Sequence, residues 1–256
     1  MVPKCLTIAG SDSGGGAGVQ ADLKAFAAAG CFGMSAIVAL TAQNTTGVTA
    51  VHEVPPAFVR SQLEAVLGDI GADAAKTGML FSRPVIETVA DVLVDYPLPL
   101  VVDPVMVASS GARLLEEDAV ETLVARLFPL ATVVTPNLPE AEALVGAGPK
   151  RELAARLVEL GARAAIVTGG HGEPVDHLFD GEQHVEIPVE RVESGATHGA
   201  GCTHSATLAA LLARGLSLED AARGAAEAAS LAVAQGLADI GKGDGPVDVL
   251  GLRGAA

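Results

Sequence analysis

Basic residues are scarce in this chain: 16 Lys and Arg stand against 31 Asp and Glu among 256 residues, a formal net charge of −15. A phosphate backbone would be repelled by that balance, and no run of Lys or Arg makes a local basic stripe, so nucleic acid is not expected as a partner. Long hydrophobic runs are missing too. Half of the residues are hydrophobic, yet Gly, Pro or charge breaks every stretch before the roughly 20 residues that a bilayer crossing needs. No membrane partner is expected, and the apolar half of the chain is assigned to a buried core. The opening residues Met1-Val2-Pro3-Lys4-Cys5 lack the apolar core and cleavage site of a signal peptide, so a cytoplasmic location is expected. Cysteine is sparse as well. Cys5, Cys31 and Cys202 form no C-x-x-C pair, which argues against a disulfide framework or a structural zinc site. Without a linker, repeat or low-complexity tract, a single domain over 1–256 is expected.

Short Val/Ile/Leu-rich segments alternate with longer helical patterns, as in a parallel sheet covered on both faces. Strands are predicted at Cys5–Ala9, Ala36–Leu40, Ala50–Val54, Ala74–Gly78, Leu100–Asp103, Thr132–Thr135 and Ala164–Thr168. Between them, Phe58, Val59, Leu63, Val66 and Leu67 mark one apolar helical face, and Ile86, Val89, Ala90 and Leu93 mark the next. Ser82 with Pro84, and Ser217 with Asp220, are predicted helix starts. Two alternating segments joined at Asp180-Gly181 predict a hairpin over 175–188.

In open α/β sheets ligands bind beyond the carboxyl ends of the strands, so the residues just after each predicted strand carry the functional information. The first such place is Gly10-Ser11-Asp12-Ser13-Gly14-Gly15-Gly16-Ala17-Gly18. It fits a dinucleotide fingerprint poorly, because its glycines begin well past the strand and the second strand ends in Gln43-Asn44 instead of an acid. Either the backbone passes close to a ligand there or the segment is a flexible turn. A second place is Thr197-His198-Gly199-Ala200-Gly201-Cys202-Thr203, which runs into an apolar helix. Gly199 and Gly201 would let backbone N–H groups converge on an anion at the helix N-terminus, and the same position would lower the Cys202 thiol pKa and suit it as a general base. The alternative is an ordinary turn followed by a small buried hydrophobe. A Walker A motif is absent, since Gly241-Lys242 is not followed by Ser or Thr. Asn137-x-x-Glu140 reads either as a helix start or as an acid oriented toward hydrated magnesium, and Asp103 at a strand end is the companion acid. His171 and His198 lie beside glycines at the functional edge, while His52, His177 and His184 read as structural.

Taken in order, Ile8-Ala9-Gly10-Ser11-Asp12, Gly15-Gly16-Ala17-Gly18, Gln20-Ala21-Asp22-Leu23-Lys24, Ala42-Gln43-Asn44-Thr45, Lys76-Thr77-Gly78-Met79-Leu80, Thr135-Pro136-Asn137-Leu138-Pro139-Glu140-Ala141 and Thr197-His198-Gly199-Ala200-Gly201-Cys202-Thr203 resemble the hydroxymethylpyrimidine/phosphomethylpyrimidine kinases of thiamine biosynthesis, within the ribokinase-like superfamily. The resemblance implies a three-layer α/β/α sandwich with a central, mostly parallel sheet and a small hairpin. It implies ATP and Mg2+ as cofactors, a small pyrimidine as substrate, a homodimer, and phosphorylation of 4-amino-5-hydroxymethyl-2-methylpyrimidine first to the monophosphate and then to the diphosphate. By the same resemblance Cys202 is the base and Gly199, Ala200 and Gly201 supply amides to the transferring group. Gln43 hydrogen-bonds the ring edge, Asp22 helps to hold the substrate, and Gly10, Met79 and Val105 line its plane. Asn137, Thr168, Gly170, Thr197 and Lys242 would hold ATP and its phosphates, with Glu140 and Asp103 near the metal. Thr168 departs from the lysine often found before Gly-Gly-His in the family, which leaves Lys242, His171 or magnesium to offset phosphate charge. His204 occupies a place where an apolar residue is expected. Alternatives are a pyridoxal or pyridoxine kinase of the same superfamily and, from another class, an ADP- or ATP-dependent dehydratase of hydrated nicotinamide cofactors.

Overall fold

A computed structural model of the chain describes residues 1–106, 117–192 and 194–254. In chain order its elements are β1 (Lys4–Ser11), α1 (Gly18–Ala28), β2 (Phe32–Asn44), β3 (Gly47–Glu53), α2 (Pro56–Asp69), β4 (Ala74–Thr77), α3 (Arg83–Asp95), β5 (Leu100–Val102), α4 (Glu117–Leu127), β6 (Val133–Val134), α5 (Leu138–Val145), α6 (Lys150–Glu159), β7 (Ala165–Val167), β8 (Val175–Phe179), β9 (His184–Pro188), α7 (Ala200–Ala213) and α8 (Leu218–Ala234). Among the described residues nine strands form one sheet in the order β3-β2-β1-β4-β5-β6-β7-β8-β9. The strands from β2 to β7 run parallel, and antiparallel strands close both edges. The mostly parallel α/β architecture and the small hairpin are thus as expected. None of the described helices is long and apolar enough to cross a membrane.

Alternation along the strands sorts side chains into two cores. Leu6, Ile8, Val102, Val134, Ala165 and Val167 point to the layer of α2 to α6. Cys5, Val101, Val133, Ala164 and Ile166 point to the layer of α1, α7 and α8. The predicted strand positions hold, but β2 is far longer than Ala36–Leu40. Thr41 to Asn44 pair with β3 in an antiparallel hairpin, so Gln43 sits on a strand and not in the loop that follows one. The helix starts divide. Ser217 accepts the Asp220 N–H at 3.1 Å, as predicted. Ser82 precedes α3 but gives no side-chain cap, because its hydroxyl is turned to the Glu53 carboxylate.

β1 lies between β2 and β4, so successive connections leave it on opposite sides. That reversal opens a crevice at the carboxyl ends of the strands, the general location of ligands in such sheets.

Candidate active site

A cavity of about 1000 Å³ occupies the crevice. At its inner end the Gly10 N–H donates to the Met79 carbonyl at 3.0 Å. A side chain at Gly10 would press on the Met79 methyl, so glycine here lets Met79 form a flat apolar wall. Gln43 stands beside it. Thr41 Oγ1 donates to Gln43 Oε1 at 3.1 Å, and Ser13 Oγ donates to the Gln43 carbonyl at 2.7 Å while accepting its N–H at 2.8 Å. The glycine-rich segment is therefore no free turn: the Asp12 carboxylate gathers the N–H groups of Gly14, Gly16 and Ala17 at 2.8, 3.0 and 2.8 Å. Burial opposes ionisation of Asp12, yet hydrogen bonds from His198, Ala17 and Gly14 prevail and hold its carboxyl below the ordinary range.

The opposite wall is the start of α7. Gly199 adopts φ +87°, and a Cβ there would overlap the Gly16 carbonyl, so glycine is needed for both conformation and close approach. The Ala200 N–H is taken by the Thr197 carbonyl at 3.1 Å, which differs from the expected role of Ala200 as a donor. The Gly201 and Cys202 N–H groups belong to the first turn, have no partner inside the helix and face the cavity end of the helix dipole. The expectation of a partly ionised Cys202 is not met. Burial pushes its thiol up to about 12; Lys76 pulls it down, but Asp22 and Asp103 push it further up. Burial and the two carboxylates act against the lowering expected from a helix terminus.

Lys76 is the group the sequence motifs left without a role. Its ammonium, wholly buried on β4, lies 2.9 and 3.0 Å from the two Asp22 oxygens and 3.8 Å from Asp103. Burial alone would lower its pKa; Asp22, Cys202 and Asp103 reverse that and keep the ammonium charged. Asp22, expected to hold substrate, is instead committed to Lys76 and Thr7 and does not line the cavity, whereas Lys76 does. A lysine in the middle of a fully buried strand was the available signal.

Asn137 and Glu140 form a reciprocal capping box, with Glu140 N–H to Asn137 Oδ1 at 2.9 Å and Asn137 N–H to Glu140 Oε2 at 3.0 Å. The helix-start reading therefore holds, and both residues also face the cavity. Burial, followed by the Asp103 charge, pushes the Glu140 carboxyl up to about 8. A buried carboxyl whose ionisation is opposed by a neighbouring carboxylate would gain from a cation at its side. Among the described residues no group of three or more His, Cys, Asp or Glu stands together as a metal cage. Asp103 also accepts the Ser205 hydroxyl of α7 at 2.8 Å.

His204 has a physical account. Its Nε2 meets Asp176 Oδ2 at 3.2 Å, and the other Asp176 oxygen accepts the Gly169 N–H, which fastens the Gly169-Gly170-His171 loop to α7. Of the remaining expected residues, Val105, Thr168, Gly170 and Thr197 line the cavity and Lys242 does not. The Lys242 and Gly243 N–H groups are fastened to Thr45 Oγ1 at 3.1 and 3.2 Å, a course that turns Asp244 toward Thr197 and leaves the lysine outside. Arg191 also lines the cavity, its guanidinium donating to the Gly172 carbonyl at 3.0 Å.

Fold and site together define a kinase of the ribokinase-like type. The family model for phosphomethylpyrimidine kinase matches residues 12–248. The hydroxymethylpyrimidine/phosphomethylpyrimidine kinase of Rhizobium meliloti is 48% identical over 96% of this chain and 97% of its own length. The thiamine biosynthesis bifunctional protein ThiED of Geobacter sulfurreducens is 50% identical over 95% of this chain, which spans only 51% of that longer protein. Among solved structures, an ADP complex of Bacillus subtilis pyridoxal kinase superposes with a TM-score of 0.89 at 37% identity, covering 99% of both chains. The chain belongs to the phosphomethylpyrimidine kinase family.

Proposed function

We propose that this protein transfers the terminal phosphoryl group of ATP to 4-amino-5-hydroxymethyl-2-methylpyrimidine, and then a second one to the monophosphate, in the cytoplasm as a step of thiamine diphosphate synthesis. The observation that carries the reading is the placement of the Gly201 and Cys202 amides across the cavity from a flat slot made by Gly10, Met79 and Gln43. A planar ring can lie against the face of Met79, which packs directly on Gly10, and the Gln43 carboxamide offers a donor and an acceptor to a ring edge. The ring's hydroxymethyl group then faces Cys202. Phosphoryl transfer needs positioning and charge stabilisation more than covalent chemistry, and preorganised amides supply that without reorganisation.

The chain is acidic, so local groups have to receive the phosphates: the α7 amides, Arg191, and the Asp103–Glu140 pair through Mg2+. Bound there, the metal would neutralise phosphate charge. Cys202 is placed beside the alcohol of the first transfer, but with its thiol protonated at rest it can take the alcohol proton only after giving up its own; the acceptor in the second transfer is already an anion. Cys202→Ala is therefore expected to slow the alcohol step about 100-fold and the monophosphate step far less, measured by separate assays on the two acceptors. Equal losses would remove Cys202 as the base.

Incubation of the protein with ATP, Mg2+ and each acceptor, with mono- and diphosphate products resolved, tests the reading; no turnover of the hydroxymethylpyrimidine overturns it. A second reading, phosphorylation of a pyridoxal-type acceptor, is favoured by the full-length likeness to a pyridoxal kinase and belongs in the same assay. Assembly as a homodimer is proposed on family resemblance and is read from solution mass.

A further inference from the structure

Asp12 and His198 lie 186 residues apart in sequence, and neither has a role in the reading above. In the fold His198 Nε2 lies 2.8 Å from Asp12 Oδ2, and both residues are buried. The same Asp12 oxygen accepts the Gly16 and Ala17 N–H groups, so the imidazole completes a carboxylate that already shapes the glycine-rich loop. His198 immediately precedes Gly199, where the backbone turns into α7. Its ring covers Gly16 so closely that a Cβ at Gly16 would overlap it. The His198 main chain is fixed as well, its N–H donating to the Gly245 carbonyl at 3.2 Å and its carbonyl accepting the Val247 N–H at 3.1 Å.

Two loops from opposite ends of the chain thus meet through this hydrogen bond, beside the close approach of Gly199 to the Gly16 carbonyl. One carries Ser13, which is bonded to the Gln43 backbone at the acceptor slot; the other carries the amides that face the transferring group. Their separation sets the distance between acceptor and phosphoryl group, and a shift of about 1 Å at a reacting centre costs about 100-fold in rate. Among the described residues the His198 side chain has Asp12 as its carboxylate partner.

We propose that His198 is a positioning residue for phosphoryl transfer: by clamping Asp12 it holds the Gly199–Cys202 turn in register with the glycine-rich loop and the acceptor slot. The inference rests on the kinase reading above. The clamp is a hydrogen bond, so a side chain that reproduces its reach replaces it. Glutamine places an amide N–H near the position of Nε2, whereas asparagine is too short to reach Asp12.

Steady-state kinetics of the full chain with ATP, Mg2+ and the pyrimidine alcohol, together with thermal melting, provide the test. His198→Asn is expected to lower kcat about 100-fold with KM for the pyrimidine changed less than about threefold, because the slot itself is intact. His198→Gln is expected to recover at least tenfold of that loss. Asp12→Asn, which cannot accept all of these N–H groups, is expected to resemble His198→Asn. Equal kcat in the Asn and Gln variants overturns the proposal, as does a rise in KM with kcat unchanged. Should His198→Asn melt below the assay temperature, the comparison of wild type with His198→Gln decides alone: near-equal kcat supports a replaceable clamp, and a loss of 100-fold in a folded Gln variant overturns it. An inactive wild type would overturn the kinase reading instead, so the two failures are distinguishable.

Discussion

On one face of the sheet Leu63, Ile86, Val89, Leu123 and Phe128 fill the space beneath α2, α3 and α4, whereas on the other Ala206, Ala209, Ala210, Ala222 and Ala225 bring α7 and α8 against the strands. Helix separation depends on the side chains at the contact, so a face of alanines seats its helices closer than a face of leucines. That closeness has a functional result. Ser205 and Cys202 on α7 reach the neighbourhood of Asp103 and Lys76 at the strand ends because little lies between helix and sheet. The aliphatic face carries apolar burial; the alanine face carries the registration of the site.

The largest effect on this contrast is expected from Lys76→Met. Removing the ammonium leaves Asp22 buried without its partner, a change that costs about 3–5 kcal/mol when a buried ion pair is broken from one side. Denaturant unfolding measures it, and a change below about 1 kcal/mol would mean that the pair behaves as a surface one. Next in size is a matched pair of core substitutions. Leu63→Ala on the aliphatic face is expected to cost about 2–5 kcal/mol while kcat and KM stay as in the wild type. Ala209→Leu on the alanine face is expected to cost about 1–3 kcal/mol and also to lower kcat, because it pushes α7 off the sheet. If both variants change only stability, the division of labour between the faces is wrong. The smallest effect concerns the thiol. With its pKa pushed up to about 12, Cys202 is expected to react with iodoacetamide at pH 8 more slowly than a free cysteine by about tenfold or more. The rate should climb with pH without levelling below the edge of protein stability. Rapid labelling at pH 7 would show that the helix terminus outweighs desolvation after all.

How much of this was legible in the sequence depended on how local the cause was. Strand positions followed from short apolar runs, and the Ser217 cap and the Asp180-Gly181 turn are decided within a few residues. The placement of Gly10, Met79, Asp103 and Glu140 around one cavity followed from the rule that ligands sit at strand ends, and that of Cys202 from its position at a helix start. What escaped was set by partners far along the chain. Lys76 and Asp22 are 54 residues apart, and Asp12 and His198 are 186 apart, so neither pairing leaves a pattern in any window. The length of β2 depended on β3 pairing with it, and the charge state of Cys202 on how deeply the fold buries it. A helix-terminus rule takes no account of burial or of Asp22 and Asp103, which push the thiol the other way. Ser82 failed for a similar reason, since Glu53 competes for its hydroxyl from another element.

The donors at the start of α7 are main-chain groups, and that has a consequence for how such a protein can change. A side chain that binds a phosphate is lost in one substitution; the Gly201 and Cys202 N–H groups remain with any residue other than proline, provided that Gly199 keeps its left-handed turn. On the proposed function the transfer chemistry is thus written in conformation, while the choice of acceptor is written in replaceable side chains such as Gln43 and Met79. A lineage built this way can exchange one planar alcohol for another without first losing the ability to move a phosphoryl group.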